Sequence, residues 1–318
     1  MTSKRPSFPI STTIQKMGLI GLRWTVCSLP ERVALMFGSR IGDLLRLLLS
    51  KKRRIIRDNL SKCNLILSSG ESPRDFERKI FRHFGVLGVE FLRMKVLSDE
   101  ALRERFSGWV GINHLQKELE RGRGAIVFSG HIGNWEMVIR RIGLDFPSRT
   151  HTLIRAIKNP VVHDFVVQHR LLYGGGVSTL SDLGVRPLIR ALSRGEIVNI
   201  VIDQCAGASE GEFVPFFGRS ACTYSSLAKL SFSLKIPVIP ALSYRLPDGI
   251  HHHAVFAPPI FPMLDLPRDE AIYRQTALYS QFLEEAIREH PEQWIWMHRR
   301  WKTRNPGPDR RSFTPKEP

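Results

Sequence analysis

The amino-acid sequence predicts an α/β fold in which a mixed, largely parallel sheet is flanked by helices. Two observations carry this. Short apolar runs that end at turn residues alternate with segments of helical spacing through the middle and C-terminal parts of the chain. The clearest unit, Ala125-Ile126-Val127-Phe128-Ser129-Gly130 followed by Asn134 to Ile142, reads as a buried strand, a tight turn and a helix start in succession. At 318 residues the chain can bury a large core, as one domain or one domain with an appendage.

Taken in order, residues 14 to 29 are apolar but interrupted by Lys16 and Arg23. They offer no run of about 18 uncharged apolar residues to span a membrane, and no small-residue site of signal cleavage. Pro30 can open a helix in which Val33, Phe37, Ile41, Leu44 and Leu48 recur at three- and four-residue intervals, with Arg40, Asp43 and Arg46 confining them to a stripe. Lys51-Lys52-Arg53-Arg54 and Arg57 follow. This pattern fits a helix lying in a membrane interface, and equally a core-packing helix with a solvated basic end; the two are compatible. The expected organisation is an N-terminal membrane-associating helical segment over 1–60, an α/β domain over 61–304 and a Pro-rich, disordered tail over 305–318.

Phe76, Ile80, Phe84, Leu87, Phe91 and Met94 predict a helix within 71–95, started by Ser72-Pro73 with Asp75, and Ile112 to Leu119 a shorter one. Thr150 to Arg155 reads as a strand. Asn159-Pro160 opens a helix to Tyr173 that Gly174-Gly175-Gly176 closes. Arg186 to Ser193 is a helix, and Ile197 to Ile202 a strand ending at Asp203. Gly211 to Gly218 is expected to be an aromatic loop without regular structure. Thr223 to Leu234 is read as a helix and Val238 to Leu242 as a strand. His251-His252-His253 fits strand residues on alternating faces better than a metal site.

The formal net charge of +17 and the pI near 10.3 favour an anionic partner, whether nucleic acid, an acidic carrier protein or an anionic membrane face. The aromatic and basic residues from Trp294 to Lys302 could stack bases, but the basic residues are spread along the chain and no nucleic-acid motif is visible, so nucleic acid is not expected. Cys27, Cys63, Cys205 and Cys222 include no CxxC pair, which argues against a disulfide framework or a zinc site and suits a reducing compartment.

His131 lies just past the carboxyl end of the central strand, where open α/β sheets build their sites. With His131 on the turn and Glu136 on the first helical turn, the carboxylate could accept the imidazole Nδ1 proton and leave Nε2 free to deprotonate a hydroxyl. This is the base and orienter of a triad without the protein nucleophile, so an acceptor hydroxyl must supply the attacking oxygen. Gly130 and Gly133 permit close approach of a substrate to the backbone. The bland alternative is a surface or helix-capping pair. A basic membrane-surface or nucleic-acid binding protein would need no catalysis by His131. A Ser or Cys hydrolase is disfavoured because no Gly-x-Ser-x-Gly elbow is present.

The ordered set Gly130-His131-(four residues)-Glu136, Asn159-Pro160 with Arg170, Asp203-Gln204, Phe213 to Gly218, Ala221-Cys222-Thr223, Pro291 to Trp294 and His298 to Lys302 resembles the bacterial lipid A late acyltransferases of the lysophospholipid acyltransferase superfamily. The resemblance runs from about residue 30 to 304 and implies a glycerolipid acyltransferase-like fold. It implies transfer of an acyl chain from an acyl carrier protein thioester to a hydroxyl of a lipid A precursor at the cytoplasmic face of the inner membrane, with no cofactor. Coenzyme A as donor, and another membrane glycolipid or a lysophospholipid as acceptor, stay open. By the same resemblance His131 is the general base, Glu136 its partner, and Arg170 and Asp203 are associated with activity. Arg170 or a backbone amide near Gly130 is the candidate oxyanion donor. Arg155 and the helix starting after Asn134 are candidates for acceptor phosphates. Phe213, Phe216 and Phe217 are candidates for an acyl groove.

Overall fold

The structure, a computed structural model, describes residues 10–63, 65, 70–146, 150–154, 157–173, 176–180 and 185–305. Five helices come first: α1 (Ile10–Ser28), α2 (Glu31–Leu48), α3 (Ser50–Leu60), α4 (Pro73–Arg93) and α5 (Asp99–Glu104). Strand β1 (Phe106–Val110) and helix α6 (Asn113–Glu120) lead into β2 (Ala125–Ser129) and α7 (Trp135–Asp145). The alternation continues with β3 (Thr150–Ile154), α8 (Pro160–Tyr173), β4 (Gly176–Leu180), α9 (Arg186–Ser193) and β5 (Ile197–Val201). A hairpin of β6 (Gly211–Phe216) and β7 (Arg219–Tyr224) precedes α10 (Ser226–Leu234), β8 (Val238–Arg245), β9 (His252–Phe256) and the long α11 (Arg268–Glu289).

The main sheet has seven strands in the order β1-β9-β8-β2-β5-β3-β4, parallel throughout except for the antiparallel β8–β9 pair. The predicted α/β class with a largely parallel, mixed sheet is what the chain adopts. Helical crossovers cover both faces, so β2 is buried at every residue. Its side chains alternate. Ile126 and Phe128 join a core with Phe76 and Ile80 of α4, Leu192 of α9, Leu227 of α10 and Leu283 of α11. Ala125 and Val127 join Leu102 of α5, Leu115 of α6 and Met137 and Ile142 of α7 on the other face.

The helices read over 71–95, 112–119, 159–173 and 186–193 and the strands at 125–129, 150–155, 197–202 and 238–242 are present with small shifts at their ends. Four readings change. Gly211 to Gly218 is regular structure: β6 pairs antiparallel with β7, and Phe217 and Gly218, with φ of 52° and 70°, make the two-residue turn. Both positions take the left-handed conformation that a primed hairpin turn requires, and Pro215 is tolerated because it sits in a two-stranded ribbon. Thr223 and Tyr224 therefore belong to β7, and α10 starts at Ser226. The glycines after Tyr173 lead directly into β4, which had no apolar run to announce it; Gly174 and Gly175 themselves, like Arg155 and residues 306–318 of the tail, lie outside the described residues. Helix α11, the longest, went unread.

Helix α2 turns its apolar stripe outward, which excludes the core-packing reading for these residues: Val33, Phe37, Leu44 and Leu48 are exposed, together with Met36 and Leu47. The face turned inward toward α4 carries small residues, buried Leu35 and two charged pairs. Ala34, Gly38 and Gly42 are buried, Asp43 takes a two-point hydrogen bond from Arg82 with both distances 2.9 Å, and Arg46 pairs with Glu77 at 2.9 Å. The crossing is so close that a Cβ on Gly85 would stand 2.1 Å from the Gly38 carbonyl oxygen, and one on Gly42 would stand 2.3 Å from that of Phe81. Helix α1 likewise exposes Ile14, Met17, Ile20 and Trp24. Among the described residues no helix is long and apolar enough to cross a membrane.

Gly85→Ala is expected to force α2 and α4 apart and to cost about 1–3 kcal/mol, the usual range for overpacking. Gly88→Ala, three residues along the same helix with nothing within 4 Å of a new Cβ, should be neutral or stabilising. Chemical denaturation of the two variants checks this.

Candidate active site

Strands β2 and β5 are adjacent and parallel, with Ser129 opposite Val201. Each is followed by one residue and then a polar side chain, so His131 and Asp203 emerge at matching positions from neighbouring strand ends. The chain can bring them together because Gly130 has no side chain there: a Cβ would lie 2.8 Å from Leu283 Cδ2 and 3.5 Å from Asp203 Oδ2. The turn continues through Gly133, whose φ of 58° is left-handed and whose Cβ would stand 1.7 Å from the Ser243 carbonyl oxygen. Gly133 N donates to Gln293 O at 3.1 Å and Ile295 N donates to His131 O at 3.1 Å, which stitches the turn to the C-terminal segment.

The carboxylate on His131 is Asp203. Nδ1 lies 2.7 Å from Asp203 Oδ1, and the His131 backbone N–H donates to Oδ2 at 2.7 Å. Trp294 Nε1 donates to the same Oδ2 at 2.8 Å. The Asp203 side chain is wholly buried, whereas that of His131 is 22% exposed. Burial alone would raise the Asp203 carboxyl; the His131 imidazole, its two hydrogen bonds and the Trp294 indole outweigh this and hold it below the usual aspartate value. With Nδ1 committed, the imidazole presents Nε2 to a substrate.

Glu136 does not meet His131. It stands at the start of α7, where its carboxylate takes a two-point hydrogen bond from Arg170 of α8, Nε to Oε2 at 2.9 Å and Nη2 to Oε1. The five-residue spacing carries it past the imidazole, and Trp135 fills the gap: its ring stands edge-on to His131 at 4.8 Å while its Nε1 donates to Glu136 Oε1 at 3.0 Å. Burial lowers the Arg170 guanidinium, but the Glu136 carboxylate more than compensates and holds it above the ordinary arginine value, and the two groups meet in the two-point geometry that a guanidinium favours.

A cavity of about 630 Å³ opens at these strand ends. His131, Trp135 and Arg170 share its wall with apolar Ile139, Leu153, Ile157, Val166 and Ile200 and with polar Gln204, Tyr224 and Lys229. Of the predicted residues, His131 and Arg170 therefore meet around one space. Asp203 stands behind His131, touching neither substrate space nor an arginine side chain through a hydrogen bond. Asn134 is not available to a ligand: it is buried, caps α7 by accepting from Met137 N at 3.1 Å, and donates to Glu90 at 2.8 Å. Gly130 is packed against Leu283 and Asp203, which accounts for its small size without a substrate. The backbone amides of His131, Gly133 and Asn134 are already engaged, the last with Ser243 Oγ at 3.2 Å, so they are not free to hold an oxyanion.

The three phenylalanines do not line the cavity. Phe216 packs on Trp294 at 5.7 Å and under Arg300 at 4.7 Å, Phe217 lies beneath Arg288 at 4.6 Å, and half-buried Phe213 sits on the hairpin strand away from the wall. They are packing residues because the segment is a hairpin clamped on the C-terminal aromatics rather than an open loop.

The C-terminal cluster, which the sequence marks by its aromatic and basic residues, is part of the protein's interior. Trp294, Trp296 and Arg300 are all buried. Arg300 donates to the Cys222 carbonyl at 2.8 Å and to Thr223 Oγ1, and His298 Nε2 accepts from Cys205 N at 3.0 Å. Burial pushes the His298 imidazole down to about 4, against the pull of Asp203, and so keeps it the neutral acceptor that this bond needs. The signal that could have revealed the Asp203 partner was its position two residues past a strand end, as His131 is; the missing fact was that the two strands are neighbours. Lys229 and Tyr224 carried no signal, lying within an apparent helix.

Comparison with known proteins agrees with this architecture. Residues 2–303 match the family described as bacterial lipid A biosynthesis acyltransferase. The chain is 27% identical over 294 residues to the lipid A biosynthesis lauroyltransferase of Escherichia coli K12, covering 91% of each chain, and 28% identical over 290 residues to the palmitoleoyltransferase of the same organism, again covering 91% of each. The E. coli myristoyltransferase is 24% identical over 274 residues, 85% of this chain and 79% of its own length. A match over nearly the whole chain, on a fold whose strand ends build a histidine-centred cavity, has one reading: the chain belongs to the bacterial lipid A biosynthesis acyltransferase family and is an acyltransferase.

Proposed function

We propose that this enzyme moves a fatty acyl chain from an acyl carrier protein thioester to a hydroxyl of a lipid A precursor, with His131 as general base. One observation carries the proposal: an imidazole pinned at Nδ1 by a buried carboxylate, 2.7 Å away, and opening on its other side into a cavity of about 630 Å³. Nε2 takes the proton of the acceptor hydroxyl as its oxygen attacks the thioester carbonyl carbon. Asp203 holds the imidazole in one tautomer and stabilises the imidazolium. The C–S bond then breaks and the leaving thiolate recovers the proton from His131, so no protein-bound acyl group and no cofactor is required.

The developing oxyanion needs a donor; the amides of His131, Gly133 and Asn134 are engaged, and of the two cations on the cavity wall, Arg170 and Lys229, we assign the role to Arg170. Glu136 works through it: the two-point hydrogen bond fixes the guanidinium plane. The apolar wall of Ile139, Leu153, Ile157, Val166 and Ile200 suits an acyl chain, and the volume lies within the range of ordinary small-molecule sites.

Membrane association is part of the same proposal. An enzyme whose acceptor is a bilayer lipid must work at the bilayer, and the exposed apolar residues of α1 and α2 with the basic run Lys51 to Arg54 on α3 suit the cytoplasmic face of the inner membrane. The outward apolar face of α2 is the opposite of what a water-facing helix shows. An acidic carrier protein likewise suits a chain of net charge +17.

Transfer of labelled acyl chains from a panel of acyl carrier protein thioesters to a lipid A precursor in detergent micelles tests the chemistry. His131→Ala and Asp203→Asn should each lose about 10²-fold or more, the scale of a general base and of its tautomer control. Equal turnover by wild type and His131→Ala would overturn the assignment of the base. Flotation with anionic vesicles tests the surface: replacing Leu44, Leu47 and Leu48 by Glu should release the protein, and neutralising Lys51 to Arg54 should weaken binding by about 1 kcal/mol per charge at low salt. Undiminished flotation of both variants would remove these helices from the membrane.

A further inference from the structure

Asp203 Oδ2 accepts two hydrogen bonds, from the His131 backbone at 2.7 Å and from the Trp294 indole at 2.8 Å, while Oδ1 is left to the imidazole alone. The indole is placed by backbone as well as by packing. Ile132 and Trp294 form an isolated antiparallel bridge, flanked by the Gly133 N to Gln293 O and Ile295 N to His131 O bonds, so the Trp294 side chain is in fixed register with the turn that carries the base. Trp296, perpendicular to it with ring centres 4.7 Å apart, and Phe216 at 5.7 Å cage the ring, which is 1% exposed. The C-terminal segment is held from the other side by Asn59 of α3, whose side-chain nitrogen donates to Trp296 O at 2.8 Å and to His298 O at 2.6 Å.

We infer that Trp294 is a positioning residue for the acyl-transfer reaction: its indole N–H fixes the rotation of the Asp203 carboxylate and so aims Oδ1 at His131 Nδ1. This rests on the proposed role of His131 as base. Two consequences follow. A carboxylate relieved of one donor is free to rotate, which costs turnover. It is also more basic, so it holds the imidazolium more strongly and moves the acidic limb of the rate profile to higher pH. The other ionisable groups facing Asp203 do not confuse that limb. Burial holds His298 down to about 4 and brings Arg300 only to about 10, while Glu136 and Arg170 across the cavity are paired with each other.

Trp296 supplies the control. It is as buried as Trp294, but its Nε1 donates to the Pro291 carbonyl at 2.6 Å, away from Asp203. Trp294→Phe and Trp296→Phe, each in the full-length protein in detergent, should lose comparable thermal stability. Trp294→Phe alone should lower kcat roughly tenfold, the lower end for an outer hydrogen bond on a histidine's carboxylate, with KM little changed and the acidic limb of kcat/KM raised. Identical kinetics and pH profiles for the two variants, while His131→Ala has lost about 10²-fold or more, would overturn this inference and leave the base assignment standing. Undiminished activity in His131→Ala would instead remove the base assignment itself. If Trp294→Phe folds poorly, the indole ¹H–¹⁵N signals of the intact protein decide. The Trp294 resonance should move in Asp203→Asn and the Trp296 resonance should not, and an unmoved Trp294 signal would overturn the inference.

Discussion

The contact on which the rest of the site depends is the buried carboxylate of Asp203 against the imidazole of His131. A carboxylate with no solvent access is expensive to bury unless its lone pairs are filled, and here three donors fill them at 2.7 to 2.8 Å: the His131 ring, its backbone and the Trp294 indole. The three residues of this contact come from different parts of the architecture. The β2 end delivers the histidine, the β5 end delivers the aspartate, and the segment after α11 delivers the tryptophan. The sheet order, the glycines of the turn and the C-terminal bridge are all consequences of holding one charge where water cannot reach it.

A second charge pair lies on the other side of the histidine and does different work. Glu136 and Arg170 are bound to each other on neighbouring helices, and Trp135 separates them from the imidazole while touching both sides. Two carboxylates near one histidine thus divide the labour. The one at the strand end fixes the imidazole, and the one at the helix start fixes a cation facing the cavity. Removing either partner of a buried pair leaves an uncompensated charge, so simple loss of activity cannot distinguish these roles.

Much of the fold was legible because parallel strands buried on both faces are plain apolar runs, and because Ser72-Pro73 and Asn159-Pro160 mark helix starts clearly. The site was legible as far as His131, since a histidine past a buried strand is in the right place whatever the strand order. What the sequence lacks is adjacency. Glu136 is near His131 in the chain and Asp203 is 72 residues away, yet β2 and β5 are neighbours and the nearer residue points elsewhere. The hairpin at Gly211 was hidden by Pro215 and by a non-glycine residue, Phe217, at positive φ. The stripe on α2 was legible, but whether it faced the core or a membrane interface was not, because periodicity gives an apolar face but not what covers it. Here Gly38, Gly42 and the ion pairs of Asp43 and Arg46 set the close crossing with α4, and Ala34 and Leu35 cluster with Val89 and Leu92 beside them.

A double-mutant cycle on acyl transfer tests the central claim, that the partner of His131 is Asp203 and not Glu136. Residual rates are compared for His131→Ala, Asp203→Asn, Glu136→Gln and the two doubles that contain His131→Ala. If Asp203 acts through the imidazole, Asp203→Asn should cost almost nothing further once His131 is absent, whereas Glu136→Gln should still lower the residual rate through Arg170. The reverse pattern, with Glu136→Gln silent and Asp203→Asn still costly in the His131→Ala background, would contradict the account.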